Sequence, residues 1–189
     1  MKKVFVVLFC SLFLVAFTKF RPRKQPLSVP LIESQPIKVL DSKPKVIIIK
    51  IKDHNDFLNA IGHQESRNRY HIVNRYGYMG RYQFGKSTLK TLRIKVSRKE
   101  FLKDTLLQEE AMTKLLLFNK KRLQKYIDKY EGKIVNGILV TESGLLAAAH
   151  LGGAGSVKKW FRSGKIRKDG NGVKITTYMK RFSGYELYL

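Results

Sequence analysis

The chain has 189 residues, 43% of them hydrophobic, with 38 Lys and Arg against 14 Asp and Glu and a formal net charge of +24. That length and apolar content allow one ordinary globular domain with a real core plus a leader. The single cysteine, Cys10, excludes an intrachain disulfide, so packing alone must hold an exported domain together.

At the start, Met1-Lys2-Lys3 carries positive charge, and residues 4–17 are apolar apart from Ser11. This length suits a signal-peptide core better than a full membrane span, so the expectation is export to the periplasm, the cell envelope or the medium. No clean small-x-small site follows, so residues 1–19 read either as a cleaved leader or as a retained N-terminal anchor that touches the membrane. Cys10 inside this run reads as a small hydrophobe. Residues 20–52 hold all five prolines and many lysines and read as an extended linker. The β-branched segment 46–52 at its end suits a short strand or an arm packed on the domain.

Residues 53–189 read as one mainly helical domain. Asp53 or Asp56 caps a first helix whose Phe57 and Ile61 share a face with Glu65. Segment 70–85, rich in Gly, Asn and aromatics, suits a binding loop or small β flap lining a cleft. A short helix is expected over 86–92. The longest helix should start near Asp104, with Thr105 and Gln108 as a capping box, and run to about Tyr126. Its Leu107, Ala111, Leu115 and Phe118 read as a core stripe, and its Glu109 and Glu110 as ion-paired residues. Thr141 or Ser143 caps a helix over 144–150 that ends at Gly152-Gly153. Ala147, Ala148 and Ala149 on it permit the close approach to a neighbouring helix that would bring His150 near the cleft. Short helices over 156–161 and 176–182 close the chain, with a polar loop over 165–172.

Glu65 is the candidate catalytic group. Its shared face with Phe57 and Ile61 turns it toward protein, and removing a carboxyl group from water favours the protonated form that a general acid needs. Such a Glu beside a sugar-binding cleft is a glycosidase pattern. Segment 66–99 contains no Asp or Glu. A two-carboxylate hydrolase would then have to draw its second acid from Glu100 or Glu142, and Glu142 is better read as a first-turn residue favoured by the helix dipole.

Three strings carry a resemblance. Glu65-Ser66, the run Gly80-Arg81-Tyr82-Gln83-Phe84-Gly85, and Ala148-Ala149-His150-Leu151-Gly152-Gly153 resemble, in order, the Glu-Ser, Gly-Leu-Met-Gln and Ala-Tyr-Asn-Ala-Gly motifs of lysozyme-like peptidoglycan lytic transglycosylases. The likeness runs from Asp53 to the C-terminus, with Tyr82 standing for the usual Met and His150 for the usual Asn. It implies a lysozyme-like domain with a small loop or β flap at the cleft. It also implies one acid/base, Glu65, that protonates the bond between N-acetylmuramic acid and N-acetylglucosamine and then takes the proton of the sugar's own 6-hydroxyl, giving a 1,6-anhydro end. By the same likeness Ser66 and Gln83 bind substrate or position Glu65, Tyr78 and Tyr82 offer flat faces to sugar rings, and His150 lies at the substrate.

His54, His63, His71 and His150 show no zinc-type spacing, and no phosphate or dinucleotide fingerprint is present, so no metal or cofactor is expected. The basic runs lack zinc-finger, RNA-recognition or basic-zipper spacing, so no nucleic-acid partner is expected. The expected partners are peptidoglycan strands, with anionic envelope polymers held by charge and the protein a monomer. Two alternatives keep the same scaffold: a hydrolytic muramidase, and a non-catalytic binder of glycan or polyanions.

Overall fold

A computed structural model describes residues 51–189, which lie within one compact unit, Ile47–Leu189. The expected leader or anchor and nearly all of the linker, residues 1–50, lie outside the described residues. Seven helices dominate: α1 His54–Ser66, α2 Lys86–Thr91, α3 Arg98–Lys103, α4 Thr105–Tyr130, α5 Glu142–Gly152, α6 Ala154–Ser163 and α7 Ile175–Arg181. None is long and apolar enough to cross a membrane. A two-residue hairpin, β1 Ile134–Val135 with β2 Ile138–Leu139, pairs antiparallel through Ile134 with Leu139 and Val135 with Ile138. Its turn is Asn136-Gly137, both at positive φ, which matches the twist that tight hairpins require.

The helix α5 is central because it is apolar all round. Ser143 through Ala149 are all buried, and α5 packs on α4, α6 and α7. Gly144 makes this possible on one side: a Cβ there would lie 2.6 Å from the Met179 carbonyl oxygen of α7. Around α5 the core gathers Leu116 and Leu123 of α4, Trp160 of α6 and Met179 of α7. The C-terminal tail closes the base of α1, with Phe57 edge-on to Phe182 and Tyr185 at 6.3 and 5.5 Å. There the Glu186 N–H donates to the Lys52 carbonyl at 2.8 Å, so the end of segment 46–52 packs on the domain as an extended arm.

Several boundaries moved for local reasons. Asp53 and Asp56 together form the capping box of α1. The expected Thr105–Gln108 box is absent: Asp104 caps α4 by accepting from the Leu107 N–H at 2.8 Å, and Gln108 is buried, bonding the carbonyl of Phe101 and the N–H of Arg81. In the flap the ladder shrinks to single bridges, Val73 with Met79 and Met79 with Phe84. Asn74 shapes its tip, its side-chain oxygen accepting from the Tyr76 and Tyr78 N–H groups.

Candidate functional site

The last turn of α1 carries Glu65, and the chain leaves it through Arg67 and Asn68, both left-handed. Ser66 then ties this helix end to the flap. Its hydroxyl donates to the Arg81 carbonyl at 2.8 Å and accepts from the Arg69 N–H at 2.9 Å. Beneath it lies a polar hub. Arg81 pairs with Glu109 at 2.8 Å and donates to Asn59, Asn68 and the Tyr70 hydroxyl, while the Tyr82 hydroxyl donates to the other Glu109 oxygen at 2.6 Å. Glu109 is therefore ion-paired, and Glu110 pairs with Lys114.

On the other side of Glu65 opens a cleft of about 740 Å³. Its walls come from the flap, from Leu115, Phe118, Asn119 and Arg122 of α4, from the α5–α6 junction, and from the loop at 167–171. Glu65, Tyr78, Gln83 and His150 all line it, as the sequence led us to expect. Ser66 and Tyr82 do not. Both are buried, and their hydroxyls are spent on Arg81 and Glu109, so the expected substrate contacts are corrected, and Ser66 is left with the other expected role, holding the helix end that carries Glu65. Tyr82 and Gln83 are neighbours in a turn at whose second residue φ is positive, which sends one side chain inward and the other to the cleft.

Glu65 is half-sheltered, its side chain 16% exposed, and its Oε1 accepts from the Tyr178 hydroxyl at 2.7 Å. Burial first, and the adjacent carboxylate second, push the Tyr178 phenol well above its ordinary value, so it remains a donor. The His150 Nε2 lies 3.7 Å from the same oxygen. Burial lowers the His150 imidazole below its ordinary value against the opposing pull of Glu65, so the ring is neutral near pH 7. Glu65 Oε2 takes part in no hydrogen bond or ion pair among the described residues.

This shift has a measurable consequence. An unfolded histidine titrates near pH 6.5, so below about that pH the unfolded chain takes up a proton that the folded chain resists. The stability contributed by neutral His150 is complete above that pH and is lost as pH falls toward the lower folded value. The urea midpoint of the wild type should fall between pH 7 and pH 5 more steeply than that of His150→Asn; equal slopes would assign the loss to other groups.

Sequence reasoning missed Tyr178, which holds Glu65 without lining the cleft, and the cleft residues Phe118 and Asp169. Tyr178 comes from the far end of the chain, 113 positions from Glu65. Phe118, expected in the core, is exposed and lines the cleft, as do the exposed Tyr76 and Tyr78. Asp169 also lines the cleft, its Oδ1 accepting from the Asn171 and Val173 N–H groups. The Asp-Gly-Asn-Gly string at 169–172 signalled a turn but not its position. Of the nominal second acids, Glu100 caps α3 at the surface and Glu142 pairs with Lys120 at 2.8 Å, and neither lines the cleft. Among the described residues no group of three or more His, Cys, Asp or Glu side chains gathers into a metal site. Compared with protein-family models, curated proteins and solved structures, the chain shows no match.

Proposed function

We propose that this protein is a peptidoglycan lytic transglycosylase with a lysozyme-like domain, exported to the envelope and using Glu65 as its one acid/base. The observation that carries the reading is a sheltered carboxyl group, held by a phenol O–H on one oxygen, on the wall of a groove faced by Tyr76, Tyr78 and Phe118. Exposed aromatic faces suit the apolar faces of sugar rings. In the first step protonated Glu65 gives its proton to the glycosidic oxygen as the bond from that oxygen to the muramyl C1 breaks. In the second, the Glu65 carboxylate takes the proton of the 6-hydroxyl as O6 bonds to C1. The proton returns to Glu65, and no water is consumed. Excess positive charge holds the protein to anionic envelope polymers.

Asp169 on the same cleft favours a second reading, hydrolysis, because a second carboxylate can activate water on the opposite face of the sugar. Mass spectrometry of purified peptidoglycan treated with the full chain separates the two. Anhydromuramyl ends are expected; reducing ends would assign hydrolysis, and no products from folded protein would leave a glycan binder.

Tyr178 should matter to rate more than to folding. A hydrogen bond to a charged group is worth about 1.5–3 kcal/mol, so Tyr178→Phe is expected to slow cleavage about ten- to hundred-fold. Its unfolding midpoint should fall by only a few degrees, because Glu65 opens on the cleft and water can replace the lost donor. Unchanged initial rates on peptidoglycan would show that the phenol does not hold Glu65 for catalysis.

A further inference from the structure

A second cavity, of about 350 Å³, shares no lining residue with the cleft. It is walled by Asn136 and Ile138 of the hairpin, by the end of α6 at Trp160 and Gly164, by Ile166, and by Lys174, Thr176, Thr177 and Lys180 at α7. Its apolar lining is partly core: Trp160 is 1% exposed and Ile138 5%. No Asp or Glu lines it. Among the described residues the side chains of Asn136, Lys174, Thr176, Thr177 and Lys180 make no hydrogen bond, and the two lysines no ion pair. Five unengaged polar side chains, two of them cationic, thus surround one space.

The segment before α7 adds an independent observation. Residues 167–175 turn back on themselves, with Lys168 and Lys174 as bridge partners. The flanking bonds run from the Asp169 N–H to the Val173 carbonyl at 2.9 Å and from the Ile175 N–H to the Arg167 carbonyl at 3.0 Å. That pattern makes Lys168 and Lys174 a non-hydrogen-bonded pair, in which the Cα atoms approach to about 4.5 Å and the side chains share a face. Like charges placed opposite each other are unfavourable, and neither lysine has a carboxylate within ion-pair distance among the described residues. An anion between them removes the conflict. Alternation along the extended segment gives the side: Arg167 and Asp169 line the cleft, whereas Ile166 lines the second cavity, and Lys168 follows Ile166.

The kind of anion follows from the donors. Lysine is a compact point charge that suits a phosphate, whereas the planar fork of arginine matches a carboxylate, and no arginine lines this cavity. Hydroxyl and amide groups complete a donor set for several phosphate oxygens. The apolar lining suits carbon attached to the phosphate.

We propose that this cavity binds a phosphate ester. Lys168, Lys174 and Lys180 neutralise the phosphate, Asn136, Thr176 and Thr177 donate to its oxygens, and the carbon chain lies against Ile138, Ile166 and Trp160. Such esters occur in polyol-phosphate polymers and in lipid headgroups. The site is separate from the cleft and does not rest on Glu65 cleaving glycan; it gives the attraction to anionic envelope polymers a definite place on the domain.

Trp160 is the single tryptophan of the chain, so its emission reports on this cavity. The full chain is titrated at constant ionic strength with sn-glycerol 3-phosphate, with sodium acetate, and with vesicles of phosphatidylglycerol or of phosphatidylcholine. Glycerol phosphate should change the emission saturably and raise the unfolding midpoint, and acetate should do neither. Lys174→Gln and Lys180→Gln should each weaken binding about tenfold, the loss expected for one charge-assisted hydrogen bond. Lys103→Gln, an exposed change on α3, should leave it unaltered. A saturable response to the soluble ester upholds the site and assigns it to polyol phosphates. A response confined to phosphatidylglycerol vesicles and lost in Lys174→Gln upholds it and assigns it to a lipid headgroup. Equal responses to acetate and phosphate, equal weakening by Lys103→Gln, or no shift in emission and midpoint with any probe would overturn it. Because none of these readouts involves Glu65, a failure here leaves the glycan reading standing, and a protein that cleaves no glycan can still show the site.

Discussion

Replacing Glu65 by Gln is expected to lower peptidoglycan turnover by about 10²–10⁴-fold, the range over which a positioned general acid acts. Gln matches Glu in shape and can still accept from the Tyr178 hydroxyl through its carbonyl oxygen, so the cleft should keep its geometry. What it lacks is a proton to give and a charge to take one back, and both steps of the proposed cycle need these. The unfolding midpoint should therefore stay near that of the wild type while anhydromuropeptides fall to a trace. A Glu65→Gln protein that cleaves within tenfold of wild type would sink the assignment of Glu65, and with it the enzyme reading.

Arg81→Met should show the opposite pattern, a loss of folding rather than of chemistry alone. Arg81 is buried between Asn59, Asn68, Tyr70 and Glu109, with side-chain exposures of 10% for Arg81 and 31% for Glu109. Removing the guanidinium leaves a half-buried carboxylate with only two phenol donors. Breaking such a pair by removing one partner costs about 3 kcal/mol, or roughly 6–12 °C in the unfolding midpoint for a domain of this size. Gly62 gives the same message sterically: a Cβ there would lie 2.3 Å from the Asn68 side chain and 2.7 Å from the Arg81 Nε. Calorimetry checks the prediction, and a shift below about 2 °C would show that water replaces the guanidinium without loss.

The hub explains why two of the expected substrate contacts moved inward. Ser66 and Tyr82 stand in strings that point to a sugar site, yet their hydroxyls fasten α1 to the flap and the flap to α4. They build the cleft without touching its contents. A motif string marks a neighbourhood, whereas the side on which a hydroxyl falls depends on single left-handed residues such as Gln83 and on what the next helix presents.

Local physics made much of this protein legible in one dimension. Capping chemistry narrowed the start of α1 to Asp53 or Asp56 and of α5 to Thr141 or Ser143, apolar spacing turned Glu65 toward protein, and the Gly and Asn content of 70–85 marked the flap. These signals act over a turn or two of chain, so the sequence carries them directly. Tertiary packing alone decided the rest. It brought Tyr178 from α7 onto the Glu65 oxygen, turned Phe118 out of the core stripe into the cleft, and delivered Asp169 to the cleft from the loop at 167–171. Each depends on how α5, apolar on every side, seats α4, α6 and α7 around itself, and contacts across such sequence distances leave no periodic trace along the chain.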